Sequence, residues 1–211
     1  MRKEIVVEKV VNKKSIQLPN HIEQNTFIEK RVLKLLEIIP YDMILKELLI
    51  DKNSFRMEVN LLNKDTFIKT LQPQILEDYD RAEISFKKEK KSLLEATVLA
   101  EGLKEKKIIK FKDYKDNYTF NEFVPIITVT EQIKMLFPKD AIIQFKSSFK
   151  SEVVTFNYFV NVVIKKPLDF FEIINNLNNE LYSINISYPL SFIKTEAGIE
   201  LEFILQFHQA K

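Results

Sequence analysis

The sequence of 211 residues has no cysteine and only two glycines. Without cysteine there are no disulfides, no thiolate zinc sites and no cysteine nucleophiles. A loop that cradles phosphate groups needs several glycines, because backbone amides must come close to the ligand. Gly102 and Gly198 stand far apart in the chain, so the sequence also excludes such a loop.

The sequence has no run of about 18 apolar residues, so no segment is expected to span a membrane. The first residues, Met1–Val7, lack the apolar stretch of a secretory signal. We therefore expect a cytosolic protein if Met1 is the true start, or otherwise the soluble part of an anchored parent protein.

The charges are nearly balanced, with 32 Lys and Arg residues against 30 Asp and Glu residues. The net charge of +2 gives no general attraction to a polyanion. Because 45% of the residues are hydrophobic and 29% are charged, the chain can bury a core and is predicted to be folded.

Residues able to do chemistry are few or poorly placed. The two histidines, His21 and His208, have no partners at the spacing of a metal site, and we predict both at the surface or at an edge. No catalytic residue, metal ligand or cofactor is predicted.

Two carboxylate pairs, Glu200 with Glu202 and Glu95 with Glu101, lie on predicted strand faces. A solvated sheet face has no cleft to shift a carboxyl pKa, so neither pair is predicted to act as acid and base. The basic segment Lys87–Lys91 is interpreted as a solvated hairpin, and no nucleic-acid partner is expected.

The last part of the chain repeats the first part. Ile84–Lys88 (ISFKK) recurs as Leu190–Lys194 (LSFIK), and Pro40–Leu45 recurs as Pro138–Ile143. The pairs keep their order and are separated by roughly a hundred residues, which is typical of two copies of one packing unit.

The first copy has the pattern helix–strand–strand–helix–strand–strand. Thr26 and Glu29 fit a capping box, which predicts a helix from about residue 25 that ends at Pro40. Its apolar stripe contains Ile28, Val32, Leu35 and Ile39, whereas Lys30, Arg31, Lys34 and Glu37 are predicted to point elsewhere.

The second copy has the same order of elements. The β-branched run Ile126–Thr130 favours a strand by propensity, but its alignment with the first helix predicts a helix, and we follow the repeat. Alternation along Ile199–Phe207 predicts that the odd-numbered residues face the helices. In the first copy, Leu94, Ala96, Val98 and Ala100 form the matching inward set.

The predicted class is α+β, with two tandem ferredoxin-like domains. Each is a circularly permuted αββαββ unit in which two helices cover one face of a four-stranded antiparallel sheet. The predicted boundaries are an N-terminal extension (1–24), domain 1 (25–103), a basic linker (104–119) and domain 2 (120–211).

Four aromatic residues of domain 2 are candidates for an interface. Both faces of their predicted strands carry apolar residues, which indicates either double cover or a partner. The candidates are Phe145, Phe149, Tyr158 and Phe159. Packing between the two copies within one chain explains them equally well.

The first copy resembles the soluble domain of the type IV pilus assembly protein PilN. The matching residues are Leu35–Pro40 at the end of the helix, the strand Met43–Leu49, and Phe55–Val59 after a turn. The second copy is similar to PilO and to the GspM-type domains of type II secretion, through Pro167–Leu177 and the strands after it.

The resemblance implies a periplasmic part of an inner-membrane platform in a pilus, secretion or DNA-uptake (competence) machine. Such domains have no enzymatic activity, form homodimers or heterodimers, and bind other proteins of the same alignment subcomplex. The alternative is a cytosolic ligand-binding or nucleic-acid-binding protein with tandem ferredoxin-like domains. It predicts a polar pocket between the copies.

Overall fold

A computed structural model describes residues 18–90, 93–104 and 123–211 of the chain. The predicted basic linker lies outside the described residues except for Lys104, as does most of the predicted N-terminal extension. The described helices are α1 (His21–Glu37), α2 (Gln72–Asp78), α3 (Ile126–Met135) and α4 (Leu168–Asn178).

The described strands follow the order in which they were predicted, two after each helix. They are β1 (Met43–Ile50), β2 (Ser54–Leu61), β3 (Tyr79–Lys90), β4 (Leu93–Leu103), β5 (Ile142–Lys150), β6 (Val153–Ile164), β7 (Ser183–Lys194) and β8 (Ile199–Ala210). The α+β class and the order αββαββ in each half are therefore confirmed.

All eight strands belong to one antiparallel sheet, in the order β3-β4-β2-β1-β7-β8-β6-β5. The prediction of two separate four-stranded sheets is wrong, because β1 and β7 pair through the residues Glu47–Ile50 and Leu190–Ile193. Within each half the strands have equivalent positions, since β3-β4-β2-β1 corresponds to β7-β8-β6-β5.

The repeat in the sequence is also a repeat in strand register. Ile84 pairs with Val98 in the first half, and Leu190 pairs with Phe203 in the second. Two residues further along, Phe86 pairs with Ala96 and Phe192 pairs with Leu201. The sequence match therefore joined residues that have the same position in the two halves.

Helix α1 begins earlier than the capping box predicted. Asn20 is its N-cap, and the Asn20 side chain accepts a hydrogen bond of 3.1 Å from the Glu23 N–H. The helix starts at His21 and ends at Glu37, shortly before Pro40, and the end was predicted from that proline. The predicted start near residue 25 was wrong because Asn20 supplies the capping oxygen one turn earlier.

Helix α3 forms where the β-branched run favoured a strand, so the prediction from the repeat is confirmed. Val129 and Ile133 of α3 are buried.

In the first half, Phe67–Leu71 is a π-helical turn that leads directly into α2, and Pro73 lies in the first turn of α2. Proline fits there, because N–H groups of the first helical turn need no partner within the helix.

One hydrophobic core runs under both halves. It includes the predicted inward residues of β8, from Leu201 to Phe207, and those of β4, from Leu94 to Ala100. Val32 from α1 and Phe170 from α4 belong to the same core and are 0% exposed. The helices cover one face of the sheet, and the other face carries mainly polar side chains.

Candidate interaction surfaces

Strand β5 is an outer strand of the sheet and has little cover. Nearly every residue from Ile142 to Lys150 is exposed, including Phe145 at 44% and Phe149 at 65%. Its counterpart β1 is flanked on both sides, and Leu48 and Ile50 there are 0% exposed. No strand in the described part of the chain pairs with the outer edge of β5, so this edge presents backbone groups beside large apolar side chains.

The four predicted interface residues have different environments. Phe145 lies on the helix-covered face, 5.7 Å from the ring of Tyr158. Phe149 lies on the opposite face, beside Thr155 of β6. Phe159 is partly buried, and the Lys146 ammonium lies over its ring, 5.1 Å from the ring centre.

Tyr158 lies in the core and is 0% exposed. Thr130 donates its hydroxyl hydrogen to the Ile126 carbonyl, so the Tyr158 hydroxyl donates to the Thr130 oxygen at 3.0 Å. Burial raises the pKa of Tyr158. Of the four candidates, Phe145 and Phe149 are therefore the ones that a partner can reach directly.

The opposite outer strand, β3, also has exposed apolar side chains. Phe86 is 46% exposed on the helix-covered face, and the Lys64 ammonium lies 6.0 Å from its ring centre. Ile68, on the neighbouring helical turn, is 64% exposed. On the other face of this edge, the Lys87 ammonium forms an ion pair of 2.6 Å with Glu58.

The junction between the halves is strengthened by Asn25 of α1, which is 0% exposed. Its amide donates to the carbonyl of Ile184 at 3.1 Å, and its oxygen accepts from the N–H of Ile186 at 2.8 Å. The same amide donates to the Asn178 side chain of α4 at 2.9 Å. The Asn25 side chain thus occupies the β7 edge beyond the last pair with β1, as a backbone amide would.

Arg31 of α1 is the second residue that links the halves, and it is 8% exposed. Its guanidinium donates to carbonyls of the β1–β2 turn, at 2.6 Å to Asp51 and 3.0 Å to Ser54. The same group lies 5.7 Å from the ring of Tyr79 and 5.1 Å from the ring of Tyr188 in β7. The prediction that Arg31 points away from the core was wrong.

A shallow groove of about 530 Å³ lies where α1 and β1 meet the start of α4. Its lining is mainly apolar and includes Leu36, Met43, Leu45, Leu168 and Phe171. This lining differs from the polar pocket between the copies that the alternative function predicted.

On the face of the first half opposite the helices, charged side chains pair across strands. Arg56 contacts Glu47 at 2.9 Å, and Glu58 accepts from Lys87 at 2.6 Å and from Thr97 at 3.1 Å. Burial alone would raise the pKa of Glu58, but the hydrogen bonds from Lys87 and Thr97 and the nearby cations lower it below its ordinary value.

On the face of the second half opposite the helices, amides and a histidine form a hydrogen-bonded row across β7, β8, β6 and β5. His208 donates from Nε2 to the Asn185 oxygen at 2.7 Å, and its Nδ1 accepts from the Thr155 hydroxyl at 2.9 Å. The row continues through Gln206 and Asn157. These partners hold His208 as a neutral imidazole that is protonated on Nε2.

Both histidines are buried, so the prediction of surface positions was wrong. His208 is 6% exposed and His21, the first residue of α1, is 4% exposed. Burial, with a smaller effect of His21, lowers the pKa of His208 to about 4, and burial also lowers the pKa of His21. The burial of His21 could not be predicted from the sequence, because His21 lies before the first recognisable apolar stripe.

The carboxylates that were considered for chemistry have structural partners. Asn161 donates to Glu200 at 2.7 Å and to Glu202 at 2.9 Å, while Lys46 contacts Glu95 at 3.1 Å. Within the described ranges, no three His, Asp or Glu residues are grouped so that they could hold a metal ion. None of the described helices has the length and apolar character needed to cross a bilayer.

Asn25 and Arg31 are the functional candidates that the sequence reasoning missed. Both follow the spacing of the α1 stripe, since Asn25 lies three residues before Ile28 and Arg31 three residues after it. That spacing was a usable signal, but their polarity argued against burial. The partners they bind lie far away in sequence and could not be read from it.

Comparison with known proteins found no matching family model, no matching curated protein and no matching solved structure.

Proposed function

We propose that this chain is a structural interaction protein without enzymatic activity, built from two ferredoxin-like units. In this proposal it forms the periplasmic part of an inner-membrane platform in a type IV pilus, type II secretion or DNA-uptake system. It acts through association of its sheet edges with similar domains. The full-length protein would be anchored in the inner membrane by a segment outside this chain.

The junction between the two halves is the observation that carries the proposal. There the units already associate by pairing Glu47–Ile50 with Leu190–Ile193, reinforced by Asn25. Two units of one pattern thus bind each other through strand edges, which is a recurrent mode of protein recognition. The apolar side chains along the free edge of β5 fit the same mode with an external partner.

The strand order supports the ferredoxin-like interpretation of each half. Permuting a βαββαβ unit so that its first strand comes last gives the order 3-4-2-1, and both halves of the sheet have this order. The resemblance to PilN-like and PilO-like domains rests on the same elements, including Pro40 after α1 and Pro167 before α4.

The mainly apolar groove between the halves favours contact with protein over binding of a phosphate or another polar ligand. The sheet face opposite the helices gives little support to nucleic-acid binding. In its first half the cations Arg56 and Lys87 already pair with carboxylates, and in its second half amides form a row and the Lys146 ammonium lies over the ring of Phe159. The alternative function is therefore less well supported.

The test is to co-express the chain with the proteins encoded beside its gene and to measure complex mass by size-exclusion chromatography with light scattering. We expect a defined complex with a protein that carries a membrane anchor or a similar αββαββ domain. Deletion of the gene should abolish pili, secretion or DNA uptake, and reintroduction should restore it. Intact function in the deletion strain, together with no complex, would contradict the proposal.

A further inference from the structure

Among the described strands, the sheet ends in two outer edges, β3 and β5, and these differ from each other in the same way as the two strands at the junction. The junction joins β1 of the first unit to β7 of the second. By position, β5 is the counterpart of β1, and β3 is the counterpart of β7. Each chain therefore exposes one edge of each kind, which is the requirement for a head-to-tail contact.

The β3 edge carries apolar residues at the positions that β7 uses in the junction. Register places Ile84 and Phe86 where Leu190 and Phe192 lie. Phe192 is 5% exposed against β1, whereas Phe86 is 46% exposed. The edge of β3 thus keeps the contact surface of β7 without the strand that covers it.

The helices next to these edges show the same contrast. Phe67 before α2 and Phe170 in α4 are both fully buried and have equivalent positions. The residues that follow them are Ile68, which is 64% exposed, and Phe171, which packs against the shared core at the junction groove. Ile68 and Phe86 therefore form an exposed copy of the surface that Phe171 and Phe192 bury.

The β5 edge has the form of β1. Followed across the sheet from the equivalent residues Val98 and Phe203, the register places Ile143 of β5 where Leu48 of β1 lies, and Phe145 where Ile50 lies. In the junction, Leu48 pairs with Phe192 and Ile50 with Leu190. Phe145 is 44% exposed, so β5 keeps the apolar pattern of β1 at an exposed edge.

We propose that a second copy of this chain adds head to tail, with β5 of one copy paired antiparallel to β3 of the next. In the register of the β1–β7 junction, Ile143 lies opposite Phe86 and Phe145 opposite Ile84. This inference rests on the proposed function and names a second copy as one partner of the same edges. Because each added copy leaves one edge of each kind free, the assembly is open and grows beyond a dimer.

The contact between copies is weaker than the junction within one chain. By the alignment of α1 with α3, Asn25 corresponds to Phe123 and Arg31 to Val129, so neither linking residue has a counterpart. The apolar positions of the strand itself are kept, because Leu48 and Ile50 of β1 correspond to Ile143 and Phe145 of β5. Reversible, concentration-dependent association follows.

Sedimentation of the purified chain, from low micromolar to millimolar concentration, tests this inference. We expect the average mass to rise from 25.0 kDa for the monomer to values above that of a dimer. Two variants each block one edge: Phe86→Lys places a cation on β3, and Phe145→Lys places one on β5. Each variant alone should remain monomeric.

An equal mixture of the two variants gives the decisive measurement. The Phe86→Lys chain keeps an intact β5 and the Phe145→Lys chain an intact β3, so the mixture should form a complex that stops at two chains. The control variant Leu181→Lys carries a new lysine at a 64% exposed position in the loop after α4, and it should assemble like the unmodified chain. Circular dichroism checks that all variants are folded.

Three results would overturn the inference. An unmodified chain that stays monomeric at all concentrations excludes the second copy as occupant, even if a co-encoded protein binds and the proposed function stands. Dimers of Phe86→Lys alone would show symmetric β5–β5 pairing, and dimers of Phe145→Lys alone would show symmetric β3–β3 pairing.

Discussion

Several buried polar side chains of this protein are held by specific hydrogen bonds, and His208 is the one that links stability to pH. Its two ring nitrogens are both used, with Asn185 and Thr155 as partners, and the ring is 6% exposed. A second proton on Nδ1 would break the bond from Thr155 and place a charge in a buried site close to His21.

The protein should therefore lose stability as the pH falls. The pKa of His208 is about 4 in the fold against 6.5 as the ordinary value. The unfolded chain thus binds more protons between these values, and stability that is fully present above pH 6.5 is lost progressively down to pH 4. This shift corresponds to about 3 kcal/mol at most.

Urea unfolding at several pH values measures this effect, and the variant His208→Gln should show a smaller loss between pH 6.5 and 5. Glu58 also contributes stability that is lost in acid, but at lower pH, because its folded pKa lies below its ordinary value of 4.5. The variant His21→Gln serves as a control that retains the contribution of His208. Equal slopes in the unmodified chain and His208→Gln would refute the assignment.

Among the elements, helix α3 shows how tertiary packing overrides local propensity. Ile126–Thr130 is rich in β-branched residues, which lose side-chain freedom in a helix. The helix forms because Val129 and Ile133 fill the core between it and the sheet, and both are 0% exposed. Propensity opposes this helix, and burial determines it.

Two alanine variants of α3 separate these effects. Ile127 is 76% exposed, so Ile127→Ala removes a poor helix former and should stabilise the chain by about 0.4 kcal/mol. Val129 is 0% exposed, so Val129→Ala should destabilise it by about 2 kcal/mol. Thermal or urea unfolding measures both. If Ile127→Ala destabilised the chain instead, Ile127 would have to make a stabilising contact in solution, in contrast to its exposed position in the structure.

The element order and most inward-facing residues could be predicted, because apolar periodicity and the repeat are local signals. The single sheet could not be predicted, since β1 and β7 pair over a separation of about 140 residues and involve only a short stretch of each strand. The role of Asn25 could not be predicted for the same reason, because nothing in the sequence identifies Ile184 and Ile186 as its hydrogen-bond partners. Phe145 and Phe149 were predicted as interface candidates because apolar residues on both faces of a strand are unusual, and both are exposed.

For the whole molecule, the shared sheet and core predict that the two halves unfold together. Backbone pairs from β1 to β7, the Asn25 hydrogen bonds and one continuous core join them. A half that unfolded alone would expose Leu48 and Phe192, which the other half covers. The halves should therefore behave as one cooperative unit despite their internal repeat.

Hydrogen exchange across a urea series, read separately in β2–β4 and β6–β8, measures this cooperativity. Both regions should lose protection at the same urea concentration. Asn25→Ala leaves the Ile184 carbonyl and the Ile186 N–H without their side-chain partner, so it should lower the stability of both regions equally, by about 2–4 kcal/mol. Asn176→Ala, at an exposed position of α4, is the matched control and should cost nothing. Two separate transitions, or an effect of Asn25→Ala confined to α1 and β7, would show that the halves are independent domains that merely touch.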